Sequence, residues 1–263
     1  MIKINDKQVD LKHFPDGTLL LKELAPETEK VILSWFFENN EELVALYFLT
    51  KHLQAKGITD IELKLPYIPN ARQDRVKAQE DVFTLKYFAQ MINGLNFRKV
   101  TVLDPHSYVS EALLDHIDIQ TPKKYVEKVL DEIGTDNVML FFPDEGAMKR
   151  YSTMFELPYA FGMKKRDWTT GQIQGLDVAG QTEYIKGSTI LIVDDICSKG
   201  GTFYYSAKAL KELGAESVYL YISHCENSIL EGDLLKSDLV EKVFTTNSIF
   251  TKEHEKVEVF DYA

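Results

Sequence analysis

The chain has 263 residues, 44% of them apolar and 27% charged, and a formal net charge of -11. That balance belongs to a soluble globular protein large enough for two domains with separate cores, and the acidic surplus argues against a nucleic-acid surface, which needs clustered Lys and Arg. The apolar runs are too short to cross a bilayer, Met1 to Lys7 lack the apolar stretch of a signal peptide, and Cys197 and Cys225 form no Cys-x-x-Cys pair, so a cytoplasmic protein is expected, with no membrane anchor, disulfide framework or zinc site.

One pattern recurs along the chain: amphipathic helix, glycine, a few polar residues, then a β-rich run. After a strand predicted at Val31 to Phe37 come a helix over Leu43 to Lys56, Gly57, and a strand over Ile61 to Leu65. A second helix over Val82 to Asn93 is followed by Gly94 and a strand over Val100 to Leu103. Further strands are expected at Val138 to Phe142 and Thr189 to Val193. A helix over Phe203 to Leu213 then leads through Gly214 to a strand over Val218 to Ile222, and a last strand is expected at Val257 to Phe260. Phe203, Ala207 and Leu210 mark one buried helix face. A glycine just past a helix end fits a left-handed cap. Helices alternating with β-branched strands predict an α/β fold of two similar domains, each a mostly parallel, doubly wound sheet covered on both faces. The domains are expected at residues 1–120 and 121–263, joined within Ile119 to Tyr125, where a proline breaks the periodicity.

Ligands of such sheets lie beyond the carboxyl ends of the strands. There the run Asp194-Asp195-Ile196-Cys197-Ser198-Lys199-Gly200-Gly201-Thr202 follows an apolar strand and opens a helix. Paired carboxylates can accept hydrogen bonds from the 2- and 3-hydroxyls of a ribose. Backbone N–H groups at a glycine-rich helix start can wrap a phosphate. Ser198 and Thr202 add hydroxyl donors, and Lys199 adds a positive charge. An acidic turn capping the helix is the plainer account of Asp-Asp alone; the whole string in a strand–loop–helix context favours the ligand site.

This string resembles the phosphoribosyl-diphosphate motif of type I phosphoribosyltransferases and of ribose-phosphate diphosphokinases. Other strings point to the diphosphokinases. Ala71-Arg72-Gln73-Asp74-Arg75 is similar to their signature at the ATP site, Phe14-Pro15-Asp16-Gly17 resembles a loop that reaches the adenine of a neighbouring subunit, and Asp104-Pro105-His106 resembles their Asp-x-His near magnesium and the ATP phosphates. Pro143-Asp144-Glu145-Gly146 resembles the loop facing the diphosphate, and Lys165-Arg166, ahead of an expected mobile segment from Asp167 to Gly175, resembles the catalytic loop. The sequence departs from the family pattern at Thr18 (a glutamate there), Ala147 (a glycine), Asp167 (an arginine), and Ser198 and Lys199 (Asp-Thr). The segment Met1 to Lys12 stands in place of a first β–α unit, and no helix is expected after Val257 to Phe260.

The resemblance implies an ATP-dependent diphosphotransferase, using Mg²⁺, that moves the β,γ-diphosphate of ATP to the anomeric hydroxyl of ribose 5-phosphate. Implied catalytic groups are Lys165, Arg166, Arg72 and His106. Nucleotide contacts fall on Phe14, Asp16, Arg72, Gln73, Asp74, Arg75 and His106, and the metal would meet His106 and Asp144. The diphosphate loop is Asp144, Glu145 and Gly146, and the ribose phosphate would meet Asp194, Asp195, Ser198, Lys199, Gly200, Gly201 and Thr202. A homo-oligomer is implied, with the ATP site shared between subunits. Loss of one acidic residue and gain of one cation at Ser198 and Lys199 leaves open an esterified acceptor such as ADP-ribose. A base-transferring phosphoribosyltransferase and a non-catalytic regulatory homologue are the further alternatives.

Overall fold

A computed structural model describes residues 1–22, 30–166 and 173–262. The chain divides into two compact units, Met1–Thr121 and Pro122–Ala263. Among the described residues no helix is long and apolar enough to cross a membrane.

In the first unit β1 (Ile2–Ile4), β2 (Lys7–Gln8), β3 (Lys12–His13), β4 (Leu19–Leu20) and β5 (Lys30–Trp35) precede α1 (Glu41–Ala55). Next come β6 (Asp60–Lys64), α2 (Thr84–Asn93), β7 (Lys99–Leu103), α3 (Tyr108–Leu113) and β8 (Ile117–Gln120). The sheet order is β2-β1-β5-β6-β7-β8, with β5 to β8 parallel and β1 antiparallel to β5; β3 and β4 pair as a separate hairpin. Successive parallel strands step one way across this sheet, and right-handed crossovers then carry their helices to one face. Accordingly Val31, Leu33, Ile61, Leu63, Val100 and Val102 share one buried cluster with Leu46 and Leu49 of α1 and Phe88 and Ile92 of α2. Several of the intervening positions are charged and cross-paired: Lys30 meets Glu62 at 3.0 Å and Lys99 meets Asp118 at 3.3 Å.

Gly57 adopts φ +87°, the left-handed cap expected after α1. Gly94 does not: its φ is -63°, and the left-handed turn falls instead on Asn96, at φ +52°. Asparagine tolerates that conformation by hydrogen bonding locally, so the chain winds on for two residues before it turns.

The second unit holds α4 (Lys123–Ile133), β9 (Val138–Phe142), α5 (Glu145–Tyr151), β10 (Tyr159–Arg166) and β11 (Ile173–Gly180). It continues with β12 (Thr189–Cys197), α6 (Gly201–Glu212), β13 (Ser217–Cys225), β14 (Lys242–Thr246) and β15 (Val257–Phe260). Its sheet runs β11-β10-β9-β12-β13-β14-β15, all parallel except β11. Every residue of β9 is buried, as a parallel strand covered on both faces requires. From β9 the chain passes through α5 to β10 on one side and returns as β12 on the other. The order reverses between β9 and β12, which makes their carboxyl ends a topological switch point.

Two expectations are corrected here. The strand expected to end at Val193 continues to Cys197, because β13 is equally long and keeps pairing: Asp194 lies opposite Ile222, and Cys197 opposite Cys225. The acid pair thus lies within the strand, with Ile196 and Cys197 still to follow before the loop. The segment expected to be mobile from Asp167 to Gly175 is strand from Ile173 onward, paired back on β10 with Gly175 opposite Lys165; residues 167–172 lie outside the described residues.

Candidate active site

In the second unit the switch point gathers three features. The first is the acid pair. Asp194 and Asp195 accept hydrogen bonds from one nitrogen, Arg150 Nη2, at 3.1 and 2.5 Å. The Asp195 side chain is almost fully buried and that of Asp194 is 16% exposed. Burial and then the neighbouring Asp195 push the Asp194 carboxyl well above the usual carboxylate range, while Arg150 pulls it down. Arg150 was not singled out in the sequence, since it lies 44 residues from Asp194 and a Lys-Arg pair on a helix reads as solvated surface.

The second feature is the loop after β12. Gly200 takes φ +80° as the residue before α6, and no side chain caps the helix. The first N–H groups of α6 therefore point outward without a side-chain partner, in the arrangement that binds anions. A side chain at Gly201 would meet nothing within 4 Å, so this helix start is open. Thr202 and Lys199 are exposed, Ser198 is half-buried, and Lys199 pairs with Glu231 at 3.0 Å. Behind the loop, a Cβ added to Gly200 would lie 3.1 Å from Leu234, and one added to Gly232 would overlap the Lys199 carbonyl. The segment around Asn227–Glu231 thus braces the loop backbone directly. Gly232→Ala is expected to destabilise the protein by about 2 kcal/mol, typical of overpacking, and to raise KM for a phosphorylated ligand; thermal unfolding and steady-state kinetics check both.

Third comes the turn after β9. Asp144 caps α5 by accepting the Ala147 N–H at 3.0 Å. Ala147, where the family pattern has glycine, is buried, whereas Glu145 and Gly146 are exposed and Glu145 pairs with Lys149 at 2.9 Å. Lys165 and Arg166 end β10, but their side chains, and Asp167, lie outside the described part of the structure. Cys197 and Cys225 are free and buried, and Cys225 followed by burial pushes the Cys197 thiol up.

In the first unit the loops after β6 and β7 meet. Leu65, Pro66 and Ile68 bury the start of the β6 loop, Asn70 turns it at φ +65°, and Arg72 and Gln73 emerge exposed. Gln73 is fixed to α2 by Thr84, which donates to its Oε1 at 2.8 Å. Asp74 is buried and takes a two-pronged contact from Arg75, Nε to Oδ1 at 2.7 Å and Nη2 to Oδ2 at 2.8 Å. Arg75 first, then Ser107 and the His106 charge, hold the Asp74 carboxyl down at about 2 against the effect of burial. Asp74 therefore joins Arg75 to the His106 loop.

Phe14 and Asp16 lie on the turn between β3 and β4. Asp16 accepts from the Thr18 amide at 3.0 Å and hydroxyl at 2.7 Å, and that amide, then the hydroxyl, lowers its carboxyl below the ordinary value. The threonine that replaces the family glutamate thus locks this turn. Phe14 is half-exposed and lines an open groove of about 330 Å³ with Phe48 and His52. His106 belongs to the first unit and Asp144 to the second. Among the described residues no group of three or more His, Cys, Asp or Glu side chains is placed to hold a metal ion.

A parallel sheet whose switch-point strand carries an acid pair near its end, beside an uncapped glycine-rich helix start, is the architecture of a phosphoribosyl transferase domain, and residues 117–259 match that domain family. Across most of its length the chain is 29% identical to the ribose-phosphate pyrophosphokinase of Thermococcus kodakarensis, covering 93% of this chain and 86% of that one. It is 30% identical to the ribose-phosphate pyrophosphokinase of Bradyrhizobium diazoefficiens, covering 84% and 70%. Its fold matches the phosphoribosylpyrophosphate synthetase of Mycobacterium smegmatis with a TM-score of 0.78 at 20% identity, over 97% of this chain and 86% of that one. The chain belongs to the ribose-phosphate pyrophosphokinase family.

Proposed function

We propose that the protein transfers the β,γ-diphosphate of ATP to the anomeric hydroxyl of ribose 5-phosphate, releasing AMP and forming the 1-diphosphate. The reading is carried by Asp194 and Asp195 converging on one point beside the open N-terminus of α6. Those carboxylates accept from the ribose 2- and 3-hydroxyls, and the N–H groups from Gly201 onward hold the 5-phosphate. The ribose O1 then attacks the β-phosphorus; the O1–P bond forms as the bond to the α-phosphate oxygen breaks, and the O1 proton passes to solvent. No protein nucleophile is needed, because phosphoryl transfer asks chiefly for alignment and charge neutralisation. Arg72, Lys165 and Arg166 spread the transferring charge. Phe14, Asp16, Gln73, Asp74 and Arg75 hold the nucleotide. Magnesium would supply further charge neutralisation when bound, with His106 in the first unit or Asp144 in the second as the candidate side-chain donor. A homo-oligomer, in which the Phe14 turn serves a neighbouring subunit, belongs to the same proposal.

A second acceptor is favoured by one observation. Gly201 faces open space and the exposed Lys199 lies beside it, so a 5-phosphate esterified further, as in ADP-ribose, has room to run outward past a cation. The test is incubation with ATP, Mg²⁺ and each acceptor, with AMP measured and products weighed by mass spectrometry. AMP and a ribose phosphate heavier by one diphosphate are expected. A product from ADP-ribose alone would replace the first acceptor by the second. AMP from neither acceptor overturns the reading, in favour of a base transferase if diphosphate release is base-dependent and of a regulatory homologue if it is not.

A further inference from the structure

We propose that Arg150 is the positioning residue that makes Asp194 and Asp195 converge on a ribose diol, a role that rests on the reading above. Consecutive residues on an extended strand send their side chains to opposite faces, so two adjacent aspartates do not by themselves address one ligand. Here Arg150 Nη2 lies 3.1 Å from Asp194 Oδ1 and 2.5 Å from Asp195 Oδ1, which brings the two oxygens to one point. The Asp195 amide also donates to Asp194 Oδ1, at 2.9 Å. One guanidinium thus offsets the repulsion between two carboxylates that share a partly buried site.

Arg150 can do this because its own place is fixed. Helix α5 is capped at one end by Asp144. At the other, Tyr151 is fully buried against Phe142 of β9, with ring centroids 6.2 Å apart. The guanidinium carbon stands 5.0 Å from the centroid of the Tyr151 ring, and the side chain is only 16% exposed. A strand, a capped helix and an aromatic face therefore hold the cation while the carboxylates come to it. Because the same short helix begins at the Asp144 turn, the diphosphate loop and the diol-binding pair are set by one rigid element.

The test compares Arg150→Gln and Arg150→Lys with the unaltered protein. KM values for ATP and ribose 5-phosphate are measured, together with equilibrium binding of ribose 5-phosphate by calorimetry. Arg150→Gln is expected to weaken ribose phosphate binding and raise its KM on the order of 10- to 100-fold, the range seen when supporting partners of a binding site are removed, with KM for ATP little changed. Arg150→Lys keeps one charged nitrogen but loses the planar group that lies against Tyr151, and is expected to recover only part of the loss in ribose phosphate binding. A merely structural arginine would make both variants lose melting temperature and both substrates alike, and that result overturns the proposal. So does unchanged ribose phosphate binding in Arg150→Gln, which leaves the proposed function standing if the unaltered protein releases AMP. An unaltered protein that neither binds ribose 5-phosphate nor releases AMP sinks both.

Discussion

Asp195→Asn is expected to lower kcat/KM for the ribose phosphate on the order of 100- to 1000-fold while KM for ATP stays nearly constant. The Asp195 side chain is 3% exposed and accepts from Arg150 at 2.5 Å. Asparagine fills the same space but removes the charge that answers the guanidinium. Truncating one partner of a buried charge pair costs about 2–5 kcal/mol, and each 1.4 kcal/mol is about tenfold. Asp194→Asn gives a useful contrast. The native Asp194 carboxyl is pushed well above its ordinary value by burial and by Asp195. A raised carboxyl means that ionising this group opposes folding, so its stability contribution is full below the unfolded value near 4 and is lost as pH rises. Asp194→Asn is therefore expected to raise the melting temperature at pH 7 and to change it little below pH 4, while it too impairs turnover. Thermal unfolding at both pH values and steady-state kinetics decide the matter. Two acidic groups kept side by side in a partly buried site, at a cost to stability, fit a site retained for binding.

Much of this site could be read from the chain because its parts are local. Glycine, hydroxyl and carboxyl residues that make a helix start lie within nine consecutive positions, Asp194 to Thr202, and the strand ahead of them is marked by its apolar run. Strands β9 and β15 were legible to the residue for the same reason. What escaped is non-local. Arg150 is joined to the acid pair only by the parallel pairing of β9 with β12, and nothing in Met148-Lys149-Arg150-Tyr151 distinguishes a buried cation from two surface ones. Strand β11 escaped because the stretch from Asp167 to Gly175 carries polar residues and two glycines, which read as a loop when no partner strand is in view. Helix α4 has its buried face at Tyr125, Val126, Val129 and Leu130, a helical spacing not picked out in the sequence; only its first residues, up to Tyr125, fall in the expected join. The end of β12 was misplaced because the ladder to β13, and not any residue of its own, extends it.

Asp74→Ala is expected to lower kcat/KM for ATP on the order of 100-fold and to leave KM for the ribose phosphate unchanged. Asp74 links the Ala71 to Arg75 loop with the His106 loop through the paired nitrogens of Arg75, the Ser107 hydroxyl and the His106 charge. Without the carboxylate Arg75, already 61% exposed, has no partner to fix its fork, and a triphosphate must order it on binding. Immobilising one long side chain costs about 0.5–1.5 kcal/mol, and misplacing the adjoining His106 loop adds to that. The same group has a signature in pH. Its native value of about 2 lies below the ordinary value of 3.8 for this side chain, so the stabilisation is complete above pH 4 and disappears as pH falls toward 2. With Arg75 open to solvent this contribution is about 1 kcal/mol rather than the full value of the shift. Acid unfolding followed by circular dichroism should therefore show the unaltered protein losing stability between pH 4 and 2 more steeply than Asp74→Ala. Equal slopes would mean that the Asp74–Arg75 contact does not persist in solution, and the nucleotide-side assignment of this loop would lose its structural footing.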